Sequence, residues 1–268
     1  MNKKRKKNSL FNDIQILPRG LYLQIGFLLK TLDPTIIRSN EPEEVLTYSY
    51  KSLGDRFIIP WRKFKGKLRR LVMEQQRSFG ISQNCSLKDN LCMRCPSCFL
   101  FAGTGETSQA KISYNLLSRV LGETLISLQK ADNVFTYTAN AVDEIDYTTG
   151  QALMTTIAVP PETEFLGVIT IKDPTPEIAA IIVNNLKRVK RIGASTREWG
   201  RCKITILGYK LSNREDVSVY EIVQATEINK IFEKIENLNL PLEKIEDCFK
   251  KVNEQITQLL SKLNKLKK

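Results

Sequence analysis

Apolar and polar positions first fall into a pattern in LPRGLYLQIGFLLK, from Leu17 onward. Leu21, Leu23, Ile25, Phe27 and Leu29 share one face of an extended segment and Leu28 lies on the other, which predicts a first core strand with partial cover on its second face. Asp33-Pro34 ends that strand, and the polar stretch through Lys51 reads as a loop. After Ile58-Ile59-Pro60 the period becomes helical: Phe64, Leu68, Leu71 and Val72 fall on an inward face, while Lys63, Lys67 and Arg70 form a separate stripe. Gly66 in the first turns of that helix costs about 1 kcal/mol relative to Ala, so its presence predicts close approach of another backbone or a ligand.

From 103 to 150 the pattern is ambiguous, with a Gly-Thr-Gly turn, an apolar stretch from Leu116 to Leu128 readable as helix or strand, and the polar, β-prone VFTYTANAVDEIDYTTG. Beyond Gly150 it sharpens. QALMTTIAV alternates, Pro160 to Thr163 makes a turn and EFLGVITI is a nearly continuous apolar run, which together predict a hairpin with a buried second strand. Asp173-Pro174-Thr175-Pro176-Glu177 then supplies cap, early prolines and first-turn acid for a helix with Ile178, Ile182, Leu186 and Val189 inward. KITILGY follows as a strand. In the tail after Glu227, Ile245, Phe249, Val252, Ile256, Leu259, Leu263 and Leu266 form a heptad seam, predicting a helix packed on its own chain or on an adjacent subunit.

Strand, helix, insertion, hairpin, helix, strand amounts to β-α-β-β-α-β, an α+β ferredoxin-like arrangement also used by RNA-recognition (RRM-like) domains. The expected organisation is a basic arm over 1–16, a core domain over 17–224 with insertions at 82–102 and about 130–150, and a helical extension over 225–268. The aromatic strand signature of ordinary RNA-recognition domains is missing, so any binding is expected from loops at the ends of elements.

Charge changes the picture through its placement. The 268 residues carry a net charge of +12, with five cations in residues 1–7, four in 262–268 and six in 61–70. A second concentration lies in KRVKRIGASTREWGRCK, where seven basic residues and one acidic residue surround Gly193, Ala194, Ser195 and Thr196. Small residues let backbone N–H groups and hydroxyls approach a phosphate while arginines grip it with two-pronged hydrogen bonds. A solvated helix end followed by a turn fits the same spacing. The candidate contacts for a ribose-phosphate chain are Lys63, Lys65, Lys67, Arg69, Arg70, Arg188, Lys190, Arg191, Gly193, Ser195, Thr196, Arg197 and Arg201.

Histidine is absent, which removes the usual general base, the zinc imidazole and the Ser-His type of triad. No apolar run exceeds about six residues and the start lacks a secretory signal, so no membrane span is expected and a cytoplasmic protein is. Cys85, Cys92, Cys95 and Cys98 form a C-x6-C-x2-C-x2-C cluster. Such a set suits one tetrahedral structural zinc ion that staples a short insertion. It also resembles the C-x2-C-x2-C run of iron–sulfur proteins, without the fourth-cysteine context, and free thiols or a disulfide stay open. Cys202 and Cys248 are isolated packing residues.

The pairing of IIPWRKFKGKLRR with the later RIGASTREWGRCKI loop resembles the repeat-associated RNA-binding superfamily of CRISPR systems, in which an I-P-x-x-x-x-K-G-x-x-R segment opens the first helix and a glycine-rich loop follows the second. More narrowly, the cysteine cluster followed by VITIKDPTPEIAAIIVNNLKRVKRIGA resembles the backbone subunit of type I-D CRISPR effector complexes. The resemblance covers roughly residues 15 to 211 and leaves out the tail after Glu227. Ala194 and Glu198-Trp199 depart from the glycine-richer loops of relatives. What the resemblance implies is a non-enzymatic subunit: several copies line up in a helical filament along one CRISPR guide RNA beside other effector subunits. They grip its backbone without reading its sequence, so that base pairing selects the target DNA. It also implies a hairpin inserted between paired bases, for which 134–150 is the matching segment. Two other readings stand beside it. One is a type III-like backbone subunit that cleaves target RNA with Asp33; the other is a free-standing zinc-containing RNA-binding module.

Overall fold

The computed structural model describes residues 10–38, 45–88, 90–105, 114–142, 149–225, 227–233 and 242–266; the basic arm before residue 10 lies outside them. The alternation of the first segment becomes β1 (Tyr22–Thr31), whose Leu23, Ile25, Phe27 and Leu29 are all buried. Phe27 stacks on Phe64 of α1 (Trp61–Ser78) with ring centroids 5.2 Å apart, so the strand's inner face and the helix's apolar stripe make one core. On that stripe Phe64, Leu68, Val72 and Met73 are buried, and Leu71 is only partly so.

The second face of β1 is covered as well. Gln24 is fully buried there, its amide donating to the Val217 carbonyl at 2.7 Å and accepting from the N–H groups of Asp216 and Val217 at 2.7 and 3.0 Å. These bonds pin the segment leading to α4 (Val219–Gln224), and Val217, Val219, Ile222 and Phe232 pack there with Leu28, Leu166 and Val168. A buried amide with its hydrogen bonds made fixes register without the penalty of an orphaned polar group.

Around β1 the sheet is antiparallel throughout. Its main path runs β2 (Thr47–Tyr50), β3 (Gly54–Ile59), β5 (Leu125–Lys130), β8 (Glu164–Lys172), β1, β9 (Cys202–Ser212), and the short β4 (Val120–Gly122) also pairs with β8. Two expectations are corrected here. Part of the polar stretch read as a loop is strand, since β2 closes a hairpin with β3. The alternating segment β7 (Thr149–Ala158) does not pair with β8; it pairs with β6 (Phe135–Val142) in a separate two-stranded ribbon, and β4 and β5 flank β8 instead. The Pro160–Thr163 turn is tied to the end of β1, where the Thr31 hydroxyl donates to the Pro160 carbonyl and accepts from Thr163 N–H, both at 2.9 Å. Alternation reports that a ribbon has two unlike faces, not which strand its ladder meets.

α3 (Pro176–Lys187) begins as its sequence requires, with the Thr175 hydroxyl accepting from Ile178 N–H at 3.3 Å, Pro176 at the first position and Glu177 in the first turn. Ile178, Ile182, Leu186 and Val189 are fully buried. The tail helix α5 (Leu242–Leu266) lies on α3 and on α2 (Pro96–Phe101), burying Ile245, Phe249, Val252 and Ile256 in the same core. Among the described residues the result is a mixed α+β fold with an antiparallel sheet and five α-helices, none long and apolar enough to cross a membrane.

Candidate functional site

Two cationic stretches far apart in sequence meet in one cleft of about 510 Å³. α1 contributes Arg62, Lys63, Gly66, Lys67 and Arg70; the loop after α3 contributes Arg191, Ile192, Gly193, Ala194 and Thr196; Ile36, Ile37 and Arg38 supply the floor. Six of the lining residues are cations and none is acidic among the described residues. Gly66 sits where the helix faces the cleft, so the missing side chain leaves the groove open beside Lys67 and Arg70.

The loop is held to the floor by backbone pairing. Ala194 N–H donates to Ile36 O at 3.0 Å, Gly200 N–H to Pro34 O at 3.1 Å, and Ile192 N–H to Gly200 O at 2.8 Å. Gly193 has φ +96°, and a Cβ there would lie 2.6 Å from Ile36 O; Gly200 has φ +79°. Only glycine takes both the left-handed backbone and the close approach. Glu198 and Trp199 N–H both donate to Ser195 O, and the Arg191 guanidinium donates to the carbonyls of Glu198 and Trp199 at 3.2 Å each. The loop is therefore a built structure. Asp33 belongs to it: its Oδ1 accepts from Arg201 N–H at 2.6 Å.

Among the described residues the electrostatics are those of a site short of anions. The first turn of α1 has no acidic residue, although a helix N-terminus favours negative charge. Burial and the neighbouring Arg62 pull the Lys63 ammonium below its ordinary range. Cys202 is pushed up to about 12 by burial, against the opposing charges of Lys67 and Lys190.

Of the residues singled out from the sequence, Lys63, Lys67, Arg70, Arg191, Gly193 and Thr196 line the cleft. Lys190, Ser195, Arg197 and Arg201 are exposed on the same loop without lining it. The other three lie elsewhere. Lys65 donates to the Ser118 hydroxyl at 3.0 Å, and burial followed by the charge of Arg69 lowers its pKa; Lys65 and Arg69 thus sit together outside the cleft. Arg188 does not reach the loop: it donates to Leu71 O at 3.1 Å and Asn185 Oδ1 at 2.8 Å, with Glu74 at 3.9 Å, and so ties α3 to α1. Arg38 and Arg62 are the additions. Arg62 was visible within the basic run of 61–70; Arg38 is isolated in sequence, and the Ile36–Ala194 pairing and the Lys63 ammonium, which donates to the Arg38 carbonyl, bring it to the site.

The β6–β7 ribbon is rooted beside this cleft. Val159 pairs with Thr35, next to the Ile36–Ala194 bridge, and Trp199 meets Phe135 and Tyr137 edge-to-face at 6.0 and 5.2 Å. The segment read as a hairpin insertion holds β6 and the start of β7, and its residues 143–148 lie outside the described residues.

Away from the cleft, Cys85, Cys92, Cys95 and Cys98 bring their sulfurs within 4.8 Å of one another. Cys85 and Cys98 are 3.6 Å apart and Cys85 and Cys95 3.8 Å. Four thiolates about 2.3 Å from one tetrahedral metal ion would be spaced by about 3.8 Å, so the donor set fits. α2 builds half of it, Cys95 capping the helix and accepting from Cys98 N–H at 3.5 Å. Hydrogen bonding, first with Cys85 and then with Cys95 and Cys98, holds Cys92 well below the ordinary thiol range, while Cys95 and Cys98 are pushed above it, chiefly by Cys85.

The fold is similar to those of two solved structures. It is similar to the crystal structure of Thermofilum pendens Csc2, at TM-score 0.55 and 17% identity over 91% of this chain and 82% of that one. A chain of a Type IV-B CRISPR complex is similar at TM-score 0.50 and 13% identity, over 68% of this chain and 90% of that one. Among curated protein sequences none matches. The family is settled by the sequence itself: residues 9–266 match the Csc2 Crispr family, and the chain belongs to it. That match includes the tail helix, which the resemblance drawn from the sequence had left out.

Proposed function

We propose that the chain is the repeated backbone subunit of a type I-D CRISPR effector complex and binds guide RNA through its phosphates without reading base identity. The observation that carries this reading is the cleft in which α1 and the Gly193 loop converge, lined by six cations and, among the described residues, by no acid. Cations that hold phosphates give position and affinity, and sequence is left to pairing between the guide and its target. Strand order β5-β8-β1-β9 with α1 and α3 between the strands supports reading the core as a β-α-β-β-α-β, RRM-like arrangement, used through its loops. The β6–β7 ribbon beside the cleft is the insertion that interrupts paired bases, and neighbouring copies continue the groove along the guide in a filament that engages target DNA with other effector subunits.

Zinc held by Cys85, Cys92, Cys95 and Cys98 supplies structure in place of a hydrophobic core. No catalytic role is assigned. Asp33 serves the loop through its bond to Arg201 N–H, and that engagement supports a structural role for it.

Purifying the chain with its operon partners, sequencing the bound nucleic acid and measuring metal tests the reading: repeat-derived RNA and about one zinc per chain are expected. Absence of RNA, or random cellular RNA alone, would overturn it. Regularly spaced cuts in complementary RNA with Mg²⁺, lost in Asp33→Ala, would replace it with target cleavage.

A further inference from the structure

The cysteine centre is surrounded by polar groups that neither the cleft nor the ligand set employs. Three neighbours on α1 reach it. Met73 packs with Cys85, Cys95 and Cys98; the buried Gln76 accepts from Ser97 N–H through Oε1 at 3.1 Å; and Arg77 donates through Nη2 to the Cys85 carbonyl at 2.5 Å. Yet Gln76 Nε2, Arg77 Nε and the Ser97 hydroxyl, which belongs to the first turn of α2, are hidden from solvent with no hydrogen-bond partner among the described residues.

Buried polar groups are nearly always paired, and an orphaned one near a functional centre calls for a cause. Neutral thiols are weak acceptors and offer these donors little. Four thiolates around a divalent metal ion carry a net double negative charge and accept hydrogen bonds at sulfur, and a guanidinium beside them is favourable instead of costly. Outer groups of this kind orient metal ligands and tune affinity.

We propose that Arg77 and Gln76 of α1, with Ser97 of α2, form the outer support of a metal–tetrathiolate centre. They hold the Cys85 backbone and the start of α2 in place and set how tightly the metal is bound. The inference rests on the metal reading above and adds positioning residues to it. It also gives α1 two attachments, the thiolate centre on its C-terminal half and the phosphate cleft on its N-terminal half.

The test uses the full chain loaded with Co²⁺, whose thiolate absorption reports tetrahedral sulfur ligation, and then with Zn²⁺ in competition with a chromophoric chelator. Arg77→Met and Gln76→Leu are each expected to weaken metal affinity about 10- to 100-fold. Arg77→Lys should recover part of the loss, since it keeps the charge but not the fork. Val72→Ala, a core truncation on the same helix, should lower the unfolding temperature without changing metal affinity. Equal affinity in native, Arg77→Met and Gln76→Leu chains overturns the inference alone. So does a loss in Val72→Ala as large as theirs, because affinity would then only follow folding. A native chain that binds neither metal overturns the metal reading as well.

Discussion

Removing one cation from each side of the cleft, Lys67→Ala on α1 and Arg191→Ala on the loop, probes the convergence most directly. Six cations line the cleft, so a single strand that engages all of them should show a log–log salt slope of about −4, and the double variant about −3. Between 50 and 200 mM salt the native chain should then lose roughly 300-fold in affinity and the double variant roughly 50-fold. The assay is fluorescence anisotropy with a labelled single-stranded RNA of arbitrary sequence, titrated at four salt concentrations with the purified chain. Arg191 also braces the loop through the carbonyls of Glu198 and Trp199, and the slope separates these roles. Loss of a phosphate contact flattens the slope, whereas collapse of the loop lowers affinity at every salt with the slope intact. Lys65→Ala, bound to Ser118 outside the cleft, should leave the slope unchanged. If Lys67→Ala and Arg191→Ala each left the slope at its native value, the cleft would not be where the backbone lies.

Gly193→Ala forces a left-handed backbone on alanine and brings its Cβ to 2.6 Å from Ile36 O; a loss of about 1–3 kcal/mol in stability is expected, together with weaker RNA binding, read by chemical denaturation and the same anisotropy assay. Phe249→Ala empties a fully buried site where α5 meets Phe79, at 5.5 Å between rings, and should cost about 3–5 kcal/mol; an unchanged denaturation midpoint would mean that α5 is not docked on the core. Burial, the largest single influence on Glu177 of α3, raises its carboxyl, but the bond and charge of Lys251 of α5, with hydrogen bonds from the helix backbone and Thr175, together outweigh it and hold the carboxyl below the ordinary range. A depressed folded-state value stabilises above the unfolded glutamate range and is lost as pH falls through the folded value. Lys251→Met should therefore lower stability slightly near neutral pH, with the difference from native shrinking in acid; a difference that persists there in full counts against the ion pair.

Sequence alone determined what periodicity and chemistry encode locally. The inward faces of β1, α1, α3 and α5 follow from side-chain spacing, because burial selects residues at the period of the element they occupy. The four clustered cysteines were legible for a similar reason: three of them lie within seven residues of chain, and α2 needs only a single cap to gather them. Tertiary structure decided which elements are neighbours. β7 leaves the sheet for β6, since alternation carries no address for its partner. Arg38 enters the cleft and Arg188 leaves it, because their positions depend on the Ile36–Ala194 pairing and on the α1–α3 contact, which join residues more than a hundred positions apart. The floor that turns two basic stretches into a single groove is likewise a product of long-range backbone hydrogen bonds, whose partners no local pattern specifies.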